Sequence, residues 1–147
     1  MRRRTVDALT FSAMAASSIV KRTIYAYDYV TATGAVRSKR AFATFNGRLT
    51  GFPDGATVDA EGYVWSVEVY AGRLVRFDPA GVIDRIVGLP VYSTTSINFG
   101  GTNLDIAFVT SMARPFNGAY PAEREAGMLF AVHGLGVKGI AEPRFKG

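Results

Sequence analysis

The sequence predicts an all-β fold, a β-propeller of about three blades with four antiparallel strands each. Residues 51–79 read as the core of one blade, flanking stretches read as imperfect copies at blade-length spacing, and glycine-bearing turns fall where a blade must reverse. These three observations carry the prediction.

Within residues 51–79 a short apolar strand at 56–58 runs into the acidic turn Asp59-Ala60-Glu61-Gly62. A second strand centres on Trp65 and a third spans 73–77. At the head of the blade stands Asp54, between Pro53 and Gly55, two residues that fix the local backbone in opposite ways. An isolated Pro-Asp-Gly is ordinary turn chemistry. Here its position just ahead of an inner strand makes it the candidate functional carboxylate.

The copies follow from self-comparison. Val6-Asp7-Ala8-Leu9-Thr10-Phe11 aligns with Pro53-Asp54-Gly55-Ala56-Thr57-Val58, so that Asp7 and Asp54, 47 residues apart, each precede an apolar strand. Val58-Asp59-Ala60-Glu61-Gly62 aligns with Ile97-Asn98-Phe99-Gly100-Gly101, and the Trp65 strand with 105–111, Phe108 standing in for the tryptophan, at offsets of 39 to 43 residues. An inner strand is therefore expected at 95–99. Third strands are expected at 23–28, 73–77 and 127–132, and fourth strands at 36–45 and 82–89; all are rich in β-branched and aromatic residues. Glycines at 34, 62 and 81 supply the positive φ of tight reversals. Residues 113–126, with Pro115 and Pro121, read as a surface loop inside the last blade. Residues 13–18 break the pattern, so the first blade looks incomplete. The blade units lie near 5–50, 51–92 and 93–147 of a single partial propeller spanning 1–147.

Bulk composition excludes several classes. Of the net charge of +5, three units come from Arg2, Arg3 and Arg4, and the other basic residues are scattered, so no nucleic-acid footprint is present. No apolar run has membrane-span length, and Asp7, Thr10 and Ser12 interrupt any signal-like segment after the arginines. With no cysteine, disulfides and thiolate metal sites are excluded, which fits a reducing compartment; the expected location is cytoplasmic.

The runs Ile24-Tyr25-Ala26-Tyr27-Asp28-Tyr29, Gly51-Phe52-Pro53-Asp54-Gly55, Val58-Asp59-Ala60-Glu61-Gly62, Arg76-Phe77-Asp78-Pro79, Phe99-Gly100-Gly101 and Gly134-Leu135-Gly136-Val137-Lys138-Gly139-Ile140 together resemble the gluconolactonase, regucalcin (senescence marker protein) and luciferin-regenerating-enzyme family. The likeness runs from Asp7 to Gly147. Members are six-bladed propellers of roughly twice this length, so the resemblance implies the C-terminal half of one, as a fragment or truncated product. It also implies a sugar-lactone hydrolase with one divalent cation (Ca²⁺, Zn²⁺, Mn²⁺ or Fe²⁺) on the central channel. In the family that cation is held by a glutamate of the first blade, an asparagine of Pro-Asn-Gly and the aspartate of Pro-Asp-Gly. Asp54 matches the aspartate, as metal ligand and catalytic base. Asp7 stands at the asparagine position, in a Val-Asp-Ala context. The glutamate and the substrate-contacting arginine and asparagine fall in the other half.

Oxygen ligands suit such a cation, and carboxylates at the heads of successive inner strands would converge on one axis. Ser93, Thr94 and Thr95 precede the next inner strand and read as structural hydroxyls. Asp59 and Glu61 read as turn residues rather than a calcium loop. Trp65, Tyr25, Tyr27 and Tyr29 read as packing between blades rather than a sugar platform. His133, the single histidine, reads as a strand terminator. A calcium-binding or protein-binding propeller fragment without catalysis is the alternative function. A half ring leaves apolar blade faces uncovered, so self-association is expected. Sedimentation and calorimetry check this: a monodisperse, cooperatively melting monomer contradicts it.

Overall fold

A computed structural model describes residues 21–30, 32–115 and 118–142. Among them, nine strands form three antiparallel sheets and no helix. β1 (Thr23–Val30) and β2 (Ala35–Thr44) form a hairpin. β3 (Phe52–Val58), β4 (Val64–Val69), β5 (Arg73–Phe77) and β6 (Ile83–Gly88) form a four-stranded meander in sequence order. β7 (Thr94–Gly100), β8 (Ile106–Ser111) and β9 (Leu129–Val132) form the third sheet. These are blades of a propeller, stacked face to face.

The middle sheet shows why. Every residue of β4 is buried, which a one-sided sheet would not produce, because alternate side chains point to opposite faces. Val64, Val75 and Phe77 face the hairpin and meet Ile24, Ala43, Phe45 and Leu49. Trp65, Val67 and Leu74 face the other way and meet Ile97, Phe99, Ala107 and Val109 of the third sheet. Trp65 is fully buried, its ring edge-on to Phe99 at 6.0 Å between centroids, so its use is interblade packing. Phe108 alternates with Ala107 and Val109 and therefore faces away from this cluster, as Trp65 faces away from the hairpin. The sequence pairing of Phe108 with Trp65 thus holds as an equivalent position in successive blades.

The terminal Gly-Leu-Gly-Val-Lys-Gly-Ile run seals the cluster from the side. Leu135 and Val137 are buried in it, the amide of Ala60 donates to Lys138 O at 2.7 Å, and Arg85 Nη1 donates to Leu135 O at 2.7 Å. Residues 113–126 join β8 to β9 without a strand among those described, as expected.

Asp59 is more than a turn residue. It is fully buried, and its carboxylate accepts from the amides of Glu61 and Tyr63 at 3.0 Å, from Trp65 Nε1 at 2.9 Å and from Arg76 Nε at 2.8 Å. Arg76, 3% exposed, also pairs with Glu61 at 2.7 Å and Asp84 at 3.0 Å, and lies 3.8 Å from the centroid of the Tyr63 ring. Burial acts to lower the Arg76 pKa, but hydrogen bonds to Glu61, Asp59 and Asp84 outweigh it and raise it further above the usual arginine value. The guanidinium stays charged. Removing one partner of such a buried pair strands the other, so Asp59→Ala should lose about 3–5 kcal/mol of stability. Urea unfolding of the two proteins measures this, and a loss below about 1 kcal/mol would contradict the buried-pair account.

Candidate functional site

The inner strands β3 and β7 lie side by side at the centre. A Cβ on Gly55 would collide with Ser96, and Thr57 Oγ1 donates to Asn98 Oδ1 at 3.4 Å two residues further along both strands. Since the two contacts advance together, β3 and β7 run in the same direction and begin at the same end of the packed sheets. Asp54 stands at that end.

The sequence places Asp54 ahead of its strand, but the structure places it inside β3. Pairing with β4 runs Phe52↔Val69 and Pro53↔Glu68, breaks at Asp54 and Gly55, and resumes at Ala56↔Ser66. This irregularity is a bulge, a device that re-aims a side chain and sharpens the local twist. Proline contributes no ladder donor at 53, and glycine at 55 admits the approach of β7. The Pro-Asp-Gly motif is the chemistry of this bulge.

Asp54 is exposed, yet enough protein surrounds its carboxyl that desolvation raises the pKa above the ordinary 3.8, partly offset by the amide of Gly55. Among the described residues no ion pair engages Asp54. An oxygen-preferring divalent cation fits such a donor as one ligand of a shared shell. Among the described residues, no three acidic or histidine side chains gather closely enough to hold an ion by themselves. Asp7 lies outside the described residues.

The remaining candidates sort by burial. Ser93 and Thr94 are buried, Thr94 Oγ1 reaching Glu68 O at 3.4 Å, and Thr95 shares a 2.8 Å hydroxyl contact with Thr110. Thr94 and Thr95 thus make hydrogen bonds within the protein. Exposed Ser96, against Gly55 and two residues along β7 from Thr94, was missed; a glycine inside a strand pattern is the signal of close approach that points to it. Glu68 was also missed, an acidic residue within the buried run Val-Trp-Ser-Val-Glu-Val. Tyr25 carries Lys39 Nζ over its ring at 4.1 Å, a contact within its own hairpin. His133 is exposed directly after β9.

Sheets packed as successive blades, with neighbouring inner strands running in one direction, define part of a β-propeller. Sequence comparison sharpens this. Residues 14–113 match the SMP-30/gluconolactonase/LRE-like region, and the chain belongs to that family. It is 38% identical to human regucalcin, over 97% of this chain and 44% of that protein, and 34% identical to a pentonolactonase of Haloferax volcanii, over 85% and 43%. Among solved structures, a luciferin-regenerating enzyme superimposes with a TM-score of 0.76 at 34% identity, covering 82% of this chain and 41% of that one. A calcium-binding regucalcin of Agrobacterium tumefaciens does so with a TM-score of 0.76 at 25% identity, covering 87% and 43%. The chain spans less than half the length of these relatives. No helix among the described residues is long and apolar enough to cross a membrane.

The direction of the Asp54 shift has a measurable consequence. A carboxyl whose pKa is raised on folding binds its proton more tightly in the native state, so stability falls as pH rises from 3.8 through the raised value, and the penalty persists at neutral pH. Asp54→Asn should therefore melt at the same temperature as the parent or slightly higher at pH 7 without metal. A clear drop in melting temperature would show that the carboxylate makes a stabilising contact.

Proposed function

We propose that this chain supplies the metal-binding carboxylate of a divalent-metal-dependent sugar-lactone hydrolase, with Asp54 as ligand and general base. The observation that carries this reading is the intact Pro53-Asp54-Gly55 bulge, which presents an exposed carboxylate with no ion pair among the described residues, in a chain of lactonase-bearing kinship. Asp7, at the corresponding position one repeat earlier, is the second ligand in this proposal.

When bound, the cation supplies Lewis-acid polarisation of the lactone carbonyl. Asp54 orients the attacking water and takes its proton as the water oxygen bonds to the carbonyl carbon; the ring C–O bond then breaks and the alkoxide takes up a proton, giving the hydroxy acid. The raised Asp54 pKa makes its metal-free carboxylate a better base than an ordinary aspartate. Metal ligation opposes this, so proton acceptance and ligation trade against each other at one residue. Ser96, beside Gly55, offers a hydroxyl to the substrate side of the mouth. A calcium-binding role without catalysis is the second reading, favoured by the structural likeness to a calcium-binding regucalcin.

The test joins this chain to the N-terminal blades of a related lactonase and measures acid release from glucono-1,5-lactone with Ca²⁺, Zn²⁺ or Mn²⁺ and after chelation. Asp54→Asn should lose more than about 100-fold in rate, the upper range for losing even a supporting partner of a metal ligand. Asp105→Asn is the control, being an exposed carboxylate at the far end of the sheet, just ahead of β8. Metal binding without hydrolysis in the parent would favour the second reading, and full activity in Asp54→Asn would remove Asp54 from the mechanism.

A further inference from the structure

The segment that leads the chain from β2 into β3 is held by charged side chains at four consecutive residues. Arg22 Nη2 donates to Leu49 O at 2.6 Å, and Arg73 Nη2 donates to Arg48 O at 3.2 Å and Thr50 Oγ1 at 3.4 Å. The amide of Gly51 donates to Glu68 Oε1 at 2.6 Å. A Cβ at Gly51 would collide with Val69 O and the Glu68 side chain, so the bond requires glycine there.

Glu68 is a costly residue for its position. It is fully buried in β4, and its second oxygen lies 2.8 Å from Arg73 Nη2 without meeting hydrogen-bond geometry, an ionic contact alone. Buried charges with an incompletely satisfied oxygen are weak stabilisers, and an apolar side chain would fill the strand at lower cost. Its location suggests what the charge is for. Glu68 stands opposite Pro53, next to Asp54, where β3 is least able to hold its own register: Pro53 has no amide hydrogen, and pairing is broken across Asp54 and Gly55. A slip of one residue would turn Asp54 to the other face.

We propose that Glu68, with Arg73 as its counter-charge, is the positioning residue for Asp54: by fixing the Gly51 amide it sets where the bulge falls and keeps the Asp54 carboxylate at the channel mouth. The proposal rests on the reading of Asp54 as the site carboxylate. Its test is nevertheless separable.

The experiment follows the full chain by NMR, with cross-strand NOEs between residues 51–56 and 66–69 reporting where the bulge falls, and paramagnetic broadening of the Asp54 carboxyl by added Mn²⁺ reporting metal approach. In Glu68→Ala the cross-strand NOEs of residues 52 with 69 and 53 with 68 should be lost or displaced by a residue, and the Mn²⁺ needed for half-broadening should rise about tenfold. Glu68→Gln keeps an acceptor for Gly51 and should retain most of both properties. If Glu68→Ala does not fold, Arg73→Met decides, and it should disturb the same NOEs. A Glu68→Ala protein that melts lower but keeps the parent's NOEs and binds Mn²⁺ like the parent overturns the proposal, and so do parent-like NOEs in Arg73→Met. Absence of Mn²⁺ broadening at Asp54 in the parent would instead overturn the metal reading, leaving the NOEs to decide the positioning role.

Discussion

The carboxylate of Asp59 is the contact on which the rest of the structure depends. It closes the turn between β3 and β4, takes the indole proton of Trp65, and neutralises Arg76 on β5, which reaches on to Asp84 on β6. One buried acid thus ties together all four strands of the middle sheet. Because Trp65 is the side chain that fills the space toward the next sheet, the same acid also fixes interblade packing. The pairing of Asp59 with Gly139 brings the terminal segment against the same turn, so sealing the apolar cluster and anchoring the turn are one event.

The two ends of the middle sheet are built by different rules. At the Asp59 end, charges are matched: three carboxylates surround one guanidinium that two aromatic rings flank. At the Asp54 end, a buried glutamate and a half-buried arginine are only partly satisfied, a proline interrupts the ladder, and the exposed aspartate has no ion pair among the described residues. Functional sites are where local rules of consistency are broken, with the remainder of the fold supplying the stability that permits it. The contrast is what the proposed assignment of Asp54 to the chemistry rests on, with the matched charges at the opposite pole supplying rigidity.

Sequence patterns made strands β5, β7 and β8 legible to within a residue or so, because their alternation and bounding glycines are local signals. Trp65 could be read as interblade packing because a large aromatic side chain on a strand is best used on a buried sheet face. Asp59 could not be read as a buried keystone, since Asp-Ala-Glu-Gly is ordinary turn composition and its decisive partners lie 6 and 17 residues away. Asp54 was legible as the candidate carboxylate. That it sits inside a bulged strand was not, because a bulge is defined by the partner strand, and the only local hints were the flanking proline and glycine. Ser96 and Glu68 escaped for the same reason: their meaning lies in contacts across sheets or across a ladder.

The electrostatics of Asp54 explain why a propeller suits this kind of site. A carboxylate whose pKa is raised by desolvation is an unfavourable element in an isolated blade at neutral pH. It stands near the end from which β3 and β7 both start, and in a closed ring the other inner strands would start there too, around a common axis. A cation on that axis would relieve the desolvation of every acid pointed at it, so ligation and closure of the ring would reinforce each other. In that arrangement the strain at one blade mouth becomes affinity only when other blades add their donors. The bulge at Asp54 would be this chain's share of that arrangement, and it follows directly on residues 48–51, which Arg22, Arg73 and Glu68 hold by hydrogen bonds.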